Sequence, residues 1–307
     1  MTATVITSGN FAKGLFPGIK KWTGDYFYKE YSPLYSQYMT VVKSDKAYEE
    51  YVGTSGSGLP SVKTEAGSFA FTDMRQGFVT RLTNTVYGLG VIVTREAVDD
   101  DKYGLVGKKE SKMLAKSIRA GQETVCANLL NNGFSSSLFT TADGQALFST
   151  AHLNKAGGTY SNKISTDADL SETTLEQAVT DIRNFTNDAG LRIQVMPKKL
   201  LVSTSDEFNA QRILKSINTP DTANNAINAI RSLNSVPDGF LVNPYFTDAD
   251  AWFLTTDMDD GLTYQDRDSV EMSMDNEEDT ENAKFRARIR FAVGCPDPRG
   301  VYGSQGG

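Results

Sequence analysis

Leu105–Phe134, LVGKKESKMLAKSIRAGQETVCANLLNNGF, is the stretch that decides how the chain is put together. Leu114, Ile118, Gly121, Val125 and Leu129 recur at the spacing that keeps one side of a helix apolar. Lys112, Lys116, Arg119 and Glu123 fall opposite, with Arg119 and Glu123 placed for an i,i+4 ion pair on a solvated face. Asn131-Asn132-Gly133 closes the helix, because Asn and Gly tolerate the left-handed backbone that ends one. With only one apolar stripe, the expectation is a long helix laid across a surface, not sunk in a core.

The composition sets the class. A chain of 307 residues can hold one large domain or two modest ones. Its formal charge of -7 speaks against a dedicated nucleic-acid binder, which is normally basic. Cys126 and Cys295 form no CxxC pair, so neither a disulfide framework nor a thiolate metal site is expected, and no cofactor is implied. No apolar run reaches the length of a membrane helix, and the opening MTATVITSGNF lacks a signal-peptide core, so no membrane is expected.

Residues 1–38 combine Phe11, Phe16, Trp22, Tyr26 and further tyrosines with Gly14, Pro17-Gly18, Gly24 and Pro33. Aromatics at this density want burial, yet the breakers forbid one long element. Such a segment either packs on its own domain or reaches a neighbouring subunit. Val52–Pro60, VGTSGSGLP, is a flexible stretch that lacks the Lys and Ser/Thr of a phosphate-binding loop. Gly77–Val98 is rich in β-branched and aromatic residues and far longer than an ordinary strand. It either bends at Gly88 and Gly90 or projects as a ribbon, which suits a subunit that overlaps its neighbours. Asp99–Asp101 reads as a solvated helix start.

Asp143–Leu153, DGQALFSTAHL, holds the single histidine, His152. Ser149 and Asp143 lie near it, but no nucleophile-elbow motif surrounds Ser149, and a structural histidine is the plainer reading. Between Thr166 and Phe253 helices and strands alternate as a compact α/β module, with Thr173 and Glu176 as a capping box. In that module Leu191–Ser203 reads as β and Ala226–Leu233 as a weak helix. DMDDG at 257–261 lacks the ligand spacing of a calcium loop, and DNEEDTE at 275–281 reads as a solvated acidic turn. Lys284–Val293, KFRARIRFAV, puts Phe285, Ala287, Ile289, Phe291 and Val293 on one face and Lys284, Arg286, Arg288 and Arg290 on the other. A basic strand face of this kind is solvated or meets an acidic surface; contact with phosphates is the sharper alternative.

Taken in order, several segments resemble the Mu-like major head (major capsid) proteins of tailed bacteriophages. They are AYEEYVGTSGSG at Ala47–Gly58, GLGVIVTREAVDD at Gly88–Asp100, the Asp143–Leu153 loop and DLSETTLEQAVTDIRNF from Asp169. PKKLLV, RILKS at Arg212–Ser216, DADAWF at Asp248–Phe253, Asp257–Leu262 and DPRGVYGSQGG at Asp297–Gly307 complete the set. The resemblance implies an α+β tailed-phage capsid fold: an N-terminal arm over 1–38, then a peripheral domain over 39–165. That domain would carry a protruding loop at about 53–85 and a spine helix at about 107–132. An axial α/β domain over 166–270 and a return to the peripheral domain over 271–307 would follow.

The same resemblance implies a structural protein, not an enzyme. It would assemble in the host bacterial cytoplasm as pentamers and hexamers of an icosahedral head, enclosing double-stranded DNA without sequence-specific binding. A separate scaffolding protein, a portal and a decoration protein are the implied partners, and the virion its location. Phe11, Phe16, Trp22, Tyr26, Lys63, Arg75, Arg286, Arg288 and Arg290 are the residues expected to serve assembly. Lys63 has no identifiable Asn partner, so covalent cross-linking is not expected. An encapsulin-like nanocompartment and, from another class, a hydrolase using Ser149 and His152 are the alternatives.

Overall fold

The chain alternates between two four-stranded sheets. In chain order the first strands are β1 (Thr40–Lys43), β2 (Tyr48–Thr54), β3 (Gln76–Thr83) and β4 (Thr85–Val93), followed by helix α1 (Leu105–Asn131). Next come β5 (His152–Leu153), β6 (Thr159–Tyr160), α2 (Glu172–Arg183), β7 (Pro197–Val202), α3 (Glu207–Lys215), α4 (Ala229–Ser232) and β8 (Phe240–Val242). The chain closes with β9 (Trp252–Thr256), β10 (Thr263–Asn276), β11 (Ala283–Gly294) and β12 (Val301–Ser304). This computed structural model describes residues 27, 32–56, 58–69, 71, 76–94, 96, 105–218, 227–276 and 282–307.

The first sheet has the order β1-β10-β11-β4. β1 runs parallel to β10, while β10–β11 and β11–β4 are antiparallel. Helix α1, about 40 Å long by its residue count, lies across this sheet. Its Leu114, Ala115, Ile118, Cys126, Leu129 and Leu130 share one core with Tyr264, Ala287, Ile289 and Phe291 of β10 and β11. The apolar stripe read from the sequence is therefore the face that meets the sheet. The opposite face departs from expectation: Arg119 and Glu123 are buried, not solvated. What covers them is the chain around Phe27 and Leu34–Met39, whose Tyr35, Tyr38 and Met39 join the same core.

The second sheet, β12-β9-β7-β8, packs its Leu200, Val202, Trp252, Leu254 and Tyr302 against α2 and α3. The capping box of α2 is Ser171 with Thr174, two residues ahead of the predicted pair, because the Ser171 hydroxyl accepts from Thr174 N and Thr174 Oγ1 from Ser171 N. Only Pro197–Val202 of the expected 191–203 strand is extended, and the weak helix is a single turn.

Gly77–Val98 is not one ribbon but two strands in different sheets. The break falls at Asn84, not at Gly88 or Gly90, because the buried Asn84 amide donates to Ser44 Oγ and to Lys46 O, both at 2.9 Å. β3 pairs with β2 as a separate two-stranded ribbon. β4 turns away to edge the first sheet.

The chain passes between the sheets at 257–262 and again at 295–300. There Gly261 and Gly300 touch so closely that a Cβ on Gly300 would overlap the Cα of Gly261. The first sheet is re-entered at Thr263, ahead of residue 271, and β12 returns to the second sheet.

Candidate assembly surfaces

Three polar side chains of α1, Arg119, Gln122 and Glu123, build a grip on the N-terminal part of the chain. Glu123 Oε1 accepts Leu34 N at 2.7 Å and Oε2 accepts Tyr35 N at 3.1 Å. The Arg119 guanidinium lies 3.9 Å from the Phe27 ring centroid and donates to Phe27 O at 3.2 Å and Gln122 Oε1 at 2.9 Å. Gln122 Nε2 in turn donates to the Tyr264 hydroxyl at 2.7 Å, and the Tyr264 ring stacks on Tyr35 at 4.2 Å. Burial pushes the Glu123 carboxyl up; the two backbone N–H groups and Arg119 pull it only part of the way back. The sequence showed these as ordinary polar helix residues, and nothing in their spacing marks them as buried.

The loop beyond β2 is the reverse case, apolar and outside. Leu59, Val62, Phe69 and Phe71 are 76%, 94%, 69% and 94% exposed. Lys63, expected with Arg75 to serve assembly from this loop, sits with its Nζ 4.9 Å from the Phe69 ring centroid. Large apolar groups this exposed mark an interaction surface. Between α1 and the first sheet there is also an apolar groove of about 240 Å³, lined by Tyr87, Leu89, Ile118, Gly121, Ile289 and Phe291.

The basic face of β11 is met by its own chain. Arg288 Nε bonds Glu271 Oε2 at 2.8 Å, with Asp268 Oδ2 at 3.8 Å, and Arg286 reaches Asp275 at 3.4 Å. Glu271 stands directly across from Arg288 in the β10–β11 register. Arg290 Nε donates to Asn84 O at 3.4 Å. Arg286 and Arg288 thus meet carboxylates of the adjacent strand β10.

Two buried clusters are structural. His152 is fully buried, with Nδ1 2.7 Å from Asp143 Oδ2 and Nε2 at 3.2 Å from Leu147 O and 3.1 Å from Asn162 Oδ1. Asn162 donates from Nδ2 to Leu147 O, Pro298 O and Val301 O, so its oxygen is the atom that faces the imidazole. Both ring nitrogens therefore meet acceptors. The Ser149 hydroxyl accepts Ala151 N, and His152, shut away from solvent, is in no position to act as its base. Arg299, also buried, donates to Asn154 Oδ1 at 2.7 Å, Asp188 Oδ1 at 2.9 Å and Thr186 O at 2.8 Å, and lies 4.0 Å from the Tyr160 ring centroid. It ties the C-terminal turn to the 154–160 hairpin and the end of α2, a role the sequence did not announce.

Phe11, Phe16, Trp22, Tyr26 and Arg75 lie outside the described residues. Among the described residues no three His, Cys, Asp or Glu side chains gather as metal ligands, and no helix is long and apolar enough to cross a membrane.

Comparison with known proteins bears on the whole arrangement. A family model described as phage capsid protein matches residues 79–304. Among solved structures, a chain from Microbacterium phage Oxtober96 is 12% identical, with 89% of this chain and 91% of that chain covered at a TM-score of 0.54. The virus-like particle from Pyrococcus furiosus is 12% identical over 94% of this chain and 98% of that chain, TM-score 0.53. The procapsid of bacteriophage JBD30 is 18% identical over 96% and 75%, TM-score 0.53. At these identities the likeness is one of fold. No curated protein sequence matches the chain.

Proposed function

The chain belongs to the phage capsid protein family, and on that premise we propose that it builds the icosahedral head of a tailed bacteriophage from pentamers and hexamers around double-stranded DNA. It is a structural protein of the virion capsid. The observation that carries the proposal is the family match from β3 to β12, which takes in both sheets and the helix between them.

Assembly is the mechanism. Residues 1–38 serve as an arm and about 53–85 as a protruding loop, each burying apolar groups on a neighbouring copy. The peripheral domain takes 39–165 with α1 as its spine, the axial domain follows from 166 to about 262, and the chain returns to the peripheral sheet with β10 and β11 before β12 rejoins the axial one. Phe69 and Phe71, with Lys63 alongside, have no core of their own to enter, and the groove between α1 and β4 offers an apolar seat. Interfaces of this obligate kind bury about 2,000–5,000 Å² each and hold subunits without covalent links. The charge of -7 suits a container that confines DNA without gripping it. A separate scaffolding protein, a portal and a decoration protein complete the particle. No catalytic role is proposed.

Replacing both loop phenylalanines, Phe69→Ser with Phe71→Ser, tests this directly. The doubly substituted subunit is expected to fold normally and to lose shell formation, read by light scattering and negative-stain imaging. Shells identical to those of the wild type would sink the role given to the loop.

A further inference from the structure

We propose that Glu123 is a positioning residue that sets where and in which direction the N-terminal segment leaves the subunit, acting through the backbone of Leu34 and Tyr35; this rests on the shell-subunit reading above. A carboxylate near the middle of the spine is a costly choice there. The residue is 2% exposed, and burial works against its charge. An apolar side chain would pack beneath Tyr35 without that cost. What a carboxylate does, and an apolar group cannot, is accept two successive N–H groups at once. Those of Leu34 and Tyr35 stand at the start of the turn Tyr35–Gln37, where no carbonyl of that turn reaches them. Two acceptor oxygens on two neighbouring donors fix register as well as direction.

The surroundings support the same role. Arg119 holds Phe27 O, and Gln122 holds the Tyr264 hydroxyl whose ring stacks on Tyr35. Three residues from little more than one turn of α1 therefore grip the chain at Phe27, Leu34 and Tyr35. A partnered polar cluster of this kind favours a single arrangement where an apolar contact would tolerate slippage. Residues 1–26, with Phe11, Phe16, Trp22 and Tyr26, precede this grip in the chain. A shell made of many copies of one chain reuses the same contact surfaces, and a fixed point of departure lets the segment reach a neighbour from the same place on each copy. Its target is a second copy of this chain.

Glu123→Ala and Glu123→Gln in the full-length chain are the probes. In the unassembled subunit, trypsin cleavage after Lys29 reports release of the segment, and urea unfolding reports the state of the body. Losing two hydrogen bonds to an ionised group should speed that cleavage about tenfold or more in the alanine variant, leaving cleavage elsewhere unchanged. The glutamine variant falls between, because its one amide oxygen still accepts one N–H. Closed shells give way to free subunits or open fragments in the alanine variant and return in part with glutamine.

Cleavage after Lys29 at the wild-type rate in the alanine variant overturns the proposal, as do wild-type shells from a variant whose segment is released. Should the alanine variant fail to fold, amide exchange in the wild type decides. Leu34 and Tyr35 amides protected like those of the first sheet support the grip; amides exchanging like exposed ones overturn it. A wild type that forms no shells under any condition fails the shell reading itself, while the protease and exchange results still judge the grip.

Discussion

The fully buried imidazole of His152 has Asp143 on one side and the oxygens of Leu147 and Asn162 on the other. His152→Ala leaves the Asp143 carboxylate without its imidazole hydrogen-bond partner and is expected to cost about 3 kcal/mol in urea unfolding at neutral pH. The pH dependence has a definite sign. Burial pulls the Asp143 carboxyl up, but hydrogen bonds from His152 and Thr141 outweigh it and hold the group below the ordinary carboxylate range. A depressed carboxylate contributes stability that is complete above its unfolded value, about pH 4, and is lost as pH falls through the folded value. The wild type is thus expected to shed this contribution only in strong acid, and His152→Ala to lose that part of the acid slope; an unchanged slope would show that the pair contributes little. The sequence sets Asp143 only 9 positions from His152 and favours a structural histidine, without announcing their contact. The role of Arg299 was not legible either, since Asp188 and Asn154 come to it from 111 and 145 positions away.

Spacing alone identified α1 and the buried face of β11, because periodicity survives in sequence. Phe291, stacked between Tyr87 at 4.6 Å and Tyr264 at 5.2 Å, is where that face is densest. Phe291→Ala should cost about 3–5 kcal/mol in urea unfolding; a loss under about 1 kcal/mol would mean the helix and sheet are not packed as described. On the other face Arg288 is half exposed and already met by Glu271 and Asp268. Arg288→Glu is therefore expected to change folding stability by no more than about 1 kcal/mol and to leave shell formation intact. Loss of shells would instead make the strand a contact between subunits. Glu123 escaped the sequence reading for the reason that found α1: a polar residue opposite an apolar stripe looks solvated unless the covering chain is known. The split of Gly77–Val98 at Asn84 was hidden likewise, since its cause lies in Ser44 and Lys46.

At the scale of the molecule, two sheets, a spine across the first and the short chain crossings at 257–262 and 295–300 define a body with two unlike ends. The glycine contact between Gly261 and Gly300 is the tightest point of that junction. Gly300→Ala should destabilise the whole chain by several kcal/mol, about 3 or more, as overpacking against backbone cannot relax by a side-chain rotation; a wild-type urea midpoint would show that the crossing is looser. The helix at the centre was readable from residue spacing, whereas the α+β class came with the resemblance to phage head proteins that the order of segments carried. How β10 and β12 divide between the sheets was not readable, since pairing across the chain leaves no local trace. The most direct measurement is light scattering with negative-stain imaging of the purified full-length protein, alone and with a candidate scaffolding protein. Closed shells, or rings of pentamers and hexamers, are the predicted result; a monomer or dimer under every condition would contradict it.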